Sequence, residues 1–328
     1  MRAVVLERYG GPEVLAVREI PDLEPGVGEV RVKVAASALN RADTMQRRGI
    51  YPQPGPRPEY EIPGLEFGGT IDKIGPGVAG WQEGDRVCGL LGGGGYAEQV
   101  VIHERLLIRI PQALSFAEAA AIPEVFLTAY DALVEKAALR MGDVALIHAG
   151  GSGVGTAATQ LAKAMGARTF VTVGSEEKAR KARELGAGRA ILYKSEAFDE
   201  VVLAETDGRG ADVIIDFIGA PYLEPNLHAA AVEGRIVFVA TMGGDKPQVP
   251  LGILMGKRLR LIGTVLRARP LEQKMLLTQR VNQQVMPLFA AGALRPVVDR
   301  VFALDQVADA HRYMEENRNF GKIVLSMS

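Results

Sequence analysis

Glycines at 150, 151, 153 and 155 follow directly on the apolar run Ile147-His148-Ala149 and open into "VGTAATQLAKAMGA". A strand, a glycine turn and a helix in that order make a phosphate cradle, because the free N–H groups of the helix start point at the ligand. The fingerprint G-x-G-x-x-G would begin at Gly150, and the chain supplies Gly150, Gly151, Ser152, Gly153, Val154 and Gly155. The first and last glycines stand where a tight turn and close helix–strand packing need them. Ser152 takes the middle place, where it is small and can donate a hydrogen bond. Without a ligand the same residues would form a plain glycine-rich turn; the strand before and the helix after favour a nucleotide. About 20 residues on, the end of the second strand should say which nucleotide. NAD sites carry Asp or Glu there, but "TVGSEEKARK" places Gly174 and Ser175 at that point, with Lys178 a turn later. Small donors and a cation suit a 2′-phosphate, which favours NADP. The same residues also read as a helix start, with Ser175 as cap, Glu176 and Glu177 in the first turn and Lys178 on a solvated face.

Chemistry that needs a metal or a thiolate has little to work with. Cys88 is the only cysteine and the four histidines are scattered, which leaves no intramolecular disulfide and no multi-cysteine metal site. His148 reads as a structural hydrogen-bonding residue and Cys88, in "GDRVCGLL", as a small buried strand residue. The formal net charge of −1 gives no general attraction to nucleic acid or to an anionic membrane. The start "MRAVVLERYGG" has no apolar run of signal-peptide length, and no charge-free stretch of about 18 residues follows. The expectation is a cytoplasmic protein with no membrane segment.

These residues need elements to hold them. A chain of 328 residues, 48% apolar, has the length for about two domains. Up to about residue 110 the runs "RAVVLE", "LAVREI", "EVRVKVAAS", "GGTIDKIG" and "YAEQVVI" alternate with Gly and Pro clusters, the pattern of an irregular antiparallel β domain. "SFAEAAAIPEVFLTAYDALVEKA" reads as helical, with Ser115 as cap and Pro123 as a break. From Asp143 strands alternate with helices: "DVALIHA", "ARTFVTV", "RAILY", "ADVIIDFI", "GRIVFVA" and "RLRLIGTVL", with helices near 153–165, 175–185, 197–206 and 221–232. Continuous apolar strands in that rhythm predict a doubly wound parallel sheet. A long helix over "LEQKMLLTQRVNQQVMPLFAAGA", a strand near "RVFAL", a helix near 305–316 and "GKIVLSM" read as a return to the first domain. The expected division is 1–122 with 267–328, and 123–266.

The stretches "GGPEVL", "AASALNRAD", "PGLE", "AAAIPEVFLTAY", the loop at 147–155 and "GKIVL" together resemble the medium-chain dehydrogenase/reductase superfamily, along the whole chain. Its zinc enzymes carry Cys-Gly-x-Asp where this chain has Asn40-Arg41-Ala42-Asp43, and Gly-His-Glu where it has Gly64-Leu65-Glu66. The metal-free quinone oxidoreductase branch fits instead, and Ser152 within "HAGGSGVGTAA" is similar to its tumour-suppressor-inducible subgroup, with the zeta-crystallin-like enzymes more distant. The resemblance implies an α/β fold: a GroES-like β-rich catalytic domain plus a Rossmann domain, with NADPH in the cleft. It implies cofactor contacts at Asn40, Thr128, Gly150, Gly151, Ser152, Gly153, Val154, Gly174, Ser175, Lys178 and Tyr193. Ile218, Gly219, Ala240, Met242, Gly243, Gly244 and Leu266 would wall the nicotinamide and ribose, and Arg318, or else Lys322, would meet the 2′-phosphate. Tyr51 falls beside the nicotinamide and, with Asn40 and Thr128, makes the implied catalytic set with no metal. Read from the residues alone, Tyr51 packs in a Pro-rich loop, Asn40 caps a strand end or turn, and Glu66, its metal context gone, pairs with a nearby Arg or Lys. The implied activity is NADPH-dependent reduction of quinones, by hydride or single electrons. An enoyl or alkenal reductase is the alternative; from another class, an NADPH sensor or RNA-binding protein with little turnover. A small-molecule quinone or enone substrate is expected, with no nucleic acid or membrane partner. A homodimer is expected through the sheet edge near 259–266.

Overall fold

A computed structural model describes residues 1–51, 55–56 and 58–327. The chain divides into two compact units, Met1–Leu127 with Leu266–Ser328, and Thr128–Val265. The first boundary falls a few residues later than the sequence suggests, inside a helix that Pro123 opens rather than breaks. Proline suits a first helical position, where its missing N–H would have no partner anyway.

In the first unit, β1 (Arg2–Leu6) pairs antiparallel with β2 (Leu15–Glu19). The main sheet takes β3 (Glu29–Ala38), β4 (Glu66–Ile74), β5 (Arg86–Leu90), β6 (Gln99–His103) and β7 (Leu107–Arg109). Alternation in β3 turns Val30, Val32 and Val34 inward, where they pack with Phe67, Val87, Val100 and Ile102. Ser115 caps the helix Phe116–Ala120 reciprocally with Glu118, as its sequence suggests.

The second unit is a single parallel sheet. Its strands are β8 (Val144–Ile147), β9 (Arg168–Val173), β10 (Arg189–Leu192), β11 (Ala211–Asp216), β12 (Ala230–Phe238) and β13 (Arg260–Gly263), in the order β10-β9-β8-β11-β12-β13. The direction of winding reverses between β8 and β11, and doubly wound sheets bind ligands beyond the strand ends at such a point. Helices Gly153–Ala164, Glu176–Leu185, Phe198–Ala204 and Leu223–Ala229 fall where the periodicity places them. Two features differ from the sequence reading. The edge strand is short: β13 pairs over only four residues, and a helix at Leu251–Gly256 precedes it.

The tail returns to the first unit as β14 (Val298–Ala303) and β15 (Lys322–Ser326), with β15 antiparallel to β3. The helix expected over 271–293 is two helices, Leu271–Gln284 and Met286–Ala290, because Pro287 has no N–H for the ladder of the first. Among the described residues no helix is long and apolar enough to cross a membrane.

Candidate active site

In the second unit the glycine loop is built as its spacing suggests. A side chain at Gly150 would strike Val171 of β9, 2.7 Å from an added Cβ, and one at Gly155 would lie 2.8 Å from Gly150 Cα. Only hydrogen fits at these two places, which brings the helix start close against β8 and β9. Ser152 caps the helix: its Oγ accepts the Gly155 N–H at 3.0 Å, which leaves its own hydrogen to donate. The middle serine is therefore a helix cap and no decayed glycine.

Beneath the loop lies a buried polar chain that sequence reading missed, apart from His148. His148 contacts Thr172 Oγ1 at 3.1 Å and Asn226 Oδ1 at 2.7 Å, and Asn226 donates to Asp216 Oδ2 at 2.7 Å. Asp216 Oδ1 in turn accepts the N–H groups of Ile218 and Gly219. Burial lowers the His148 pKa, so the imidazole is neutral and structural, as expected. The chain ties the glycine loop to the 217–219 turn, and that turn is tied to 240–244: Gly243 N–H donates to Ile218 O, and Ala220 N–H to Gly244 O. Ile218, Gly219, Ala240, Met242, Gly243 and Gly244 thus form one braced double loop, with Met242 exposed.

At the end of β9, Ser175 caps the helix Glu176–Leu185 through the Lys178 N–H. Tyr193 lies over Gly174: its phenol oxygen would be 2.9 Å from a Cβ there. Gly174, Ser175, Lys178 and Tyr193 are brought together, and no carboxylate ends the strand. Glu177 is paired with Lys181 at 2.8 Å. Thr128 Oγ1 is buried with no partner among the described residues, an open donor and acceptor of the kind a bound ligand fills.

In the first unit three strand ends converge. β3 runs out into Asn40, β4 begins at Glu66 and β15 begins at Lys322. The Lys322 ammonium donates to Leu39 O at 2.5 Å, Asn40 Oδ1 at 2.6 Å and Glu66 Oε1 at 2.7 Å. The Asn40 amide nitrogen donates to the same Glu66 oxygen at 2.9 Å. Glu66 is fully buried and Lys322 is 3% exposed. This corrects one expectation: Lys322 is sealed inside the first unit with its donors engaged, and so is no ligand of a 2′-phosphate. Glu66 does pair with a basic residue, as read from the sequence. Arg318 is exposed on the same unit, paired with Glu316 and stacked over Tyr313 at 4.9 Å.

Asp43 lies behind this cluster, accepting Asn40 N–H at 2.7 Å, Tyr96 OH at 3.0 Å and Gly64 N–H at 3.2 Å. Burial pushes its carboxyl up to about 6 despite these donors. Glu124, at the start of the Pro123 helix, donates its N–H to Glu66 Oε2 at 2.8 Å. Burial, and then the Glu66 charge, push the Glu124 carboxyl up to about 8.

Tyr51 belongs to the same unit, and "PQP" after it lies outside the described residues. Arg267, 5% exposed, holds it: the guanidinium donates to Tyr51 O at 3.3 Å and stands 5.2 Å from the ring centre. Arg267 also bonds Gln46 Oε1 at 2.7 Å and Gly92 O at 2.9 Å. Its neighbour Leu266 is buried. Burial and the Glu124 charge raise the Tyr51 phenol, which keeps it protonated. Glu124 and Arg267 were not singled out from sequence: Glu124 lies within "AAAIPEVFLTAY" and Arg267 directly follows Leu266, but nothing local marks the charge in either place. Cys88 is buried in β5, as expected, and burial raises its thiol out of the reactive range.

A GroES-like β unit and a doubly wound unit with a capped glycine loop define an oxidoreductase of the nucleotide-dependent, two-domain kind. Residues 26–112 match the alcohol dehydrogenase GroES-like domain and residues 153–281 the zinc-binding dehydrogenase domain. The chain belongs to the medium-chain dehydrogenase/reductase superfamily, with quinone oxidoreductases among its homologues. A quinone oxidoreductase of Pseudomonas aeruginosa is 36% identical over 97% of both chains. A 2-haloacrylate reductase of a Burkholderia species is 32% identical over 98% of both. Among solved structures, an NAD-dependent alcohol dehydrogenase is 37% identical, with a TM-score of 0.90 over all of both chains. Mycobacterial Rv1454c, complexed with NADPH, is 29% identical with a TM-score of 0.90, over 99% of this chain and all of that one.

Proposed function

We propose that the chain is an NADPH-dependent quinone oxidoreductase that works without a metal. One observation carries this reading beyond the family: an ammonium, Lys322, bridges Asn40 and Glu66, in the two stretches where the superfamily's zinc enzymes begin their ligand set. A side chain that donates three hydrogen bonds and carries a positive charge leaves no lone pair for a metal. The full-length likeness to a quinone oxidoreductase supports the substrate class.

The residues fit a dinucleotide. Gly150 and Gly155 leave room only for backbone, Ser152 keeps a hydrogen to donate, and Thr128 Oγ1 waits unpartnered. Gly174, Ser175, Lys178 and Tyr193 favour the phosphorylated form, since a carboxylate in their place would repel a 2′-phosphate. When bound, the cofactor supplies a hydride to an electron-poor carbon. The protein's share is to fix the double loop at 217–219 and 240–244 through Asp216 and Asn226, and to hold Tyr51 by Arg267. The 2-haloacrylate reductase likeness supports activated C=C bonds, the class to which enones also belong, as a second kind of substrate.

Steady-state oxidation of NADPH with 1,2-naphthoquinone tests the reading, with an enal as the second substrate. Turnover with the quinone is expected, and turnover with the enal alone would favour the enone reductase. Elemental analysis is expected to find no stoichiometric zinc, and chelators should leave the rate unchanged; one zinc per chain would overturn the metal-free reading.

A further inference from the structure

The hydrogens of the buried chain under the glycine loop can be placed one by one, starting from Asp216. A carboxylate only accepts, so the Asn226 group 2.7 Å from Asp216 Oδ2 is its NH2. The Asn226 oxygen therefore faces His148 Nε2, at 2.7 Å, and that nitrogen must carry the proton. Nδ1 of the neutral ring is then an acceptor, and the Thr172 hydroxyl donates to it at 3.1 Å. The Thr172 oxygen in turn accepts the Ala149 N–H at 3.3 Å. Every hydrogen points one way, from the glycine loop down to Asp216. The ring cannot turn over and exchange its nitrogens without displacing Phe198 and Tyr222, whose rings stand edge-on to it at 4.7 and 4.8 Å.

The chain joins the ends of three neighbouring strands in the unit Thr128–Val265. His148 lies two residues before Gly150, Thr172 two before Gly174, and Asp216 two before Ile218. β8 and β11 pair as far as Ile147 and Ile215, and the His148 N–H still reaches Ile215 O. Past that rung the 217–219 turn is held by Asp216, whose Oδ1 takes the Ile218 and Gly219 N–H groups at 2.5 and 3.0 Å. The turn also packs tightly on the 240–244 loop: a Cβ at Gly219 would meet Gly244 O at 2.4 Å. A shift of Asp216 therefore moves the whole double loop.

We propose that His148 is a positioning residue for the dinucleotide: one ring nitrogen holds the adenosine-side wall through Thr172, and the other holds the nicotinamide-side wall through Asn226 and Asp216. The inference rests on the dinucleotide part of the reading above. His148 is fully buried and so acts through its neighbours. Without its Nε2–H, nothing dictates which end of the Asn226 amide meets Asp216. A flipped amide would set oxygen against carboxylate, and the turn would lose the fixed group that aligns it. A ligand confined to one wall would not sense the change, whereas a ligand that spans both would.

Two substitutions separate the two ring nitrogens. His148→Gln keeps a donor where Nε2 stands, while His148→Asn reaches only as far as Nδ1. Calorimetric titration compares NADPH, which spans both walls, with adenosine 2′,5′-bisphosphate, which fits the end of β9 alone. His148→Asn should raise the NADPH dissociation constant about tenfold and leave that of the bisphosphate within about twofold. His148→Gln should bring NADPH back to within about threefold of wild type. Should His148→Asn fail to fold, Asn226→Leu severs the same link one residue on, with the same split between the two ligands. If NADH binds and NADPH does not, the split is read with NADH against adenosine 5′-monophosphate. Nitrogen NMR of the ligand-free wild type reads the tautomer by itself: the His148 signal, identified by its loss in the variants, should show the proton on Nε2. A histidine that only stabilises the fold would weaken both ligands alike or neither, and either result overturns the proposal, as does a proton on Nδ1. A wild-type chain that binds neither NADPH nor NADH overturns the dinucleotide reading, and the positioning role falls with it, even with the proton on Nε2.

Discussion

On the proposed reading Tyr51 offers a substrate two things, a phenol and a ring, and its surroundings favour the ring. The phenol is held protonated, above its ordinary range, by burial. The ring is braced by the Arg267 guanidinium, which also fixes the backbone beneath it. Tyr51→Phe is therefore expected to keep kcat within about threefold, since it retains the aromatic face. Tyr51→Ala should raise the quinone KM by roughly tenfold, the worth of one aromatic stacking contact of about 1.4 kcal/mol. Steady-state kinetics on both variants decide it: a fall of about 10² or more in kcat for Tyr51→Phe would make the phenol the donor to the developing oxyanion. At this scale the sequence is an uneven guide. Ser152 and His148 could be read from their places at the end of a strand, because local rules govern a cap and a buried imidazole. Lys322 could not, because its role depends on β15 lying beside β3, which no local pattern encodes.

The end of β9 is where an element, and no single residue, sets the nucleotide preference. The strand delivers Gly174 and Ser175, the helix that Ser175 caps delivers Lys178, and β10 runs out into Tyr193. Lys178→Ala is expected to weaken NADPH binding about tenfold, the loss of one charge-assisted hydrogen bond of roughly 1.5 kcal/mol, and to leave NADH binding nearly unchanged. Titration of both cofactors checks this; equal losses would place the Lys178 ammonium away from the 2′-phosphate. Elements with strong periodicity, such as the parallel strands and the helix Gly153–Ala164, were legible because burial on both faces writes itself into the composition. The breaks were not. Pro287 divides what reads as one helix, and β13 is cut short although "RLRLIGTVL" is rich in apolar residues, because β12 offers hydrogen-bond partners over only part of that run.

For the whole molecule the open question is what covers the outer edge of the parallel sheet. β13 is hydrogen-bonded to β12 alone among the described strands, and Leu261 and Val265 are 38% and 50% exposed. The helix Leu251–Gly256 adds Leu251 and Met255, at 59% and 74%. An edge strand with bare N–H and C=O groups and an apolar surround invites association. A second copy satisfies it most simply, since a two-fold axis beside the strand pairs β13 antiparallel with its own copy and continues the sheet. Only four residues pair in β13, so backbone bonds are few and the apolar side chains must supply most of the hold. The expected state is a homodimer, seen as twice the chain mass by light scattering at micromolar concentration. Leu261→Lys with Met255→Glu should yield monomers that still bind NADPH, because neither residue belongs to the glycine loop or to the end of β9. A wild-type chain that is monodisperse as a monomer would show that this edge tolerates water, with Arg258 and Arg260 as the charges that keep it apart.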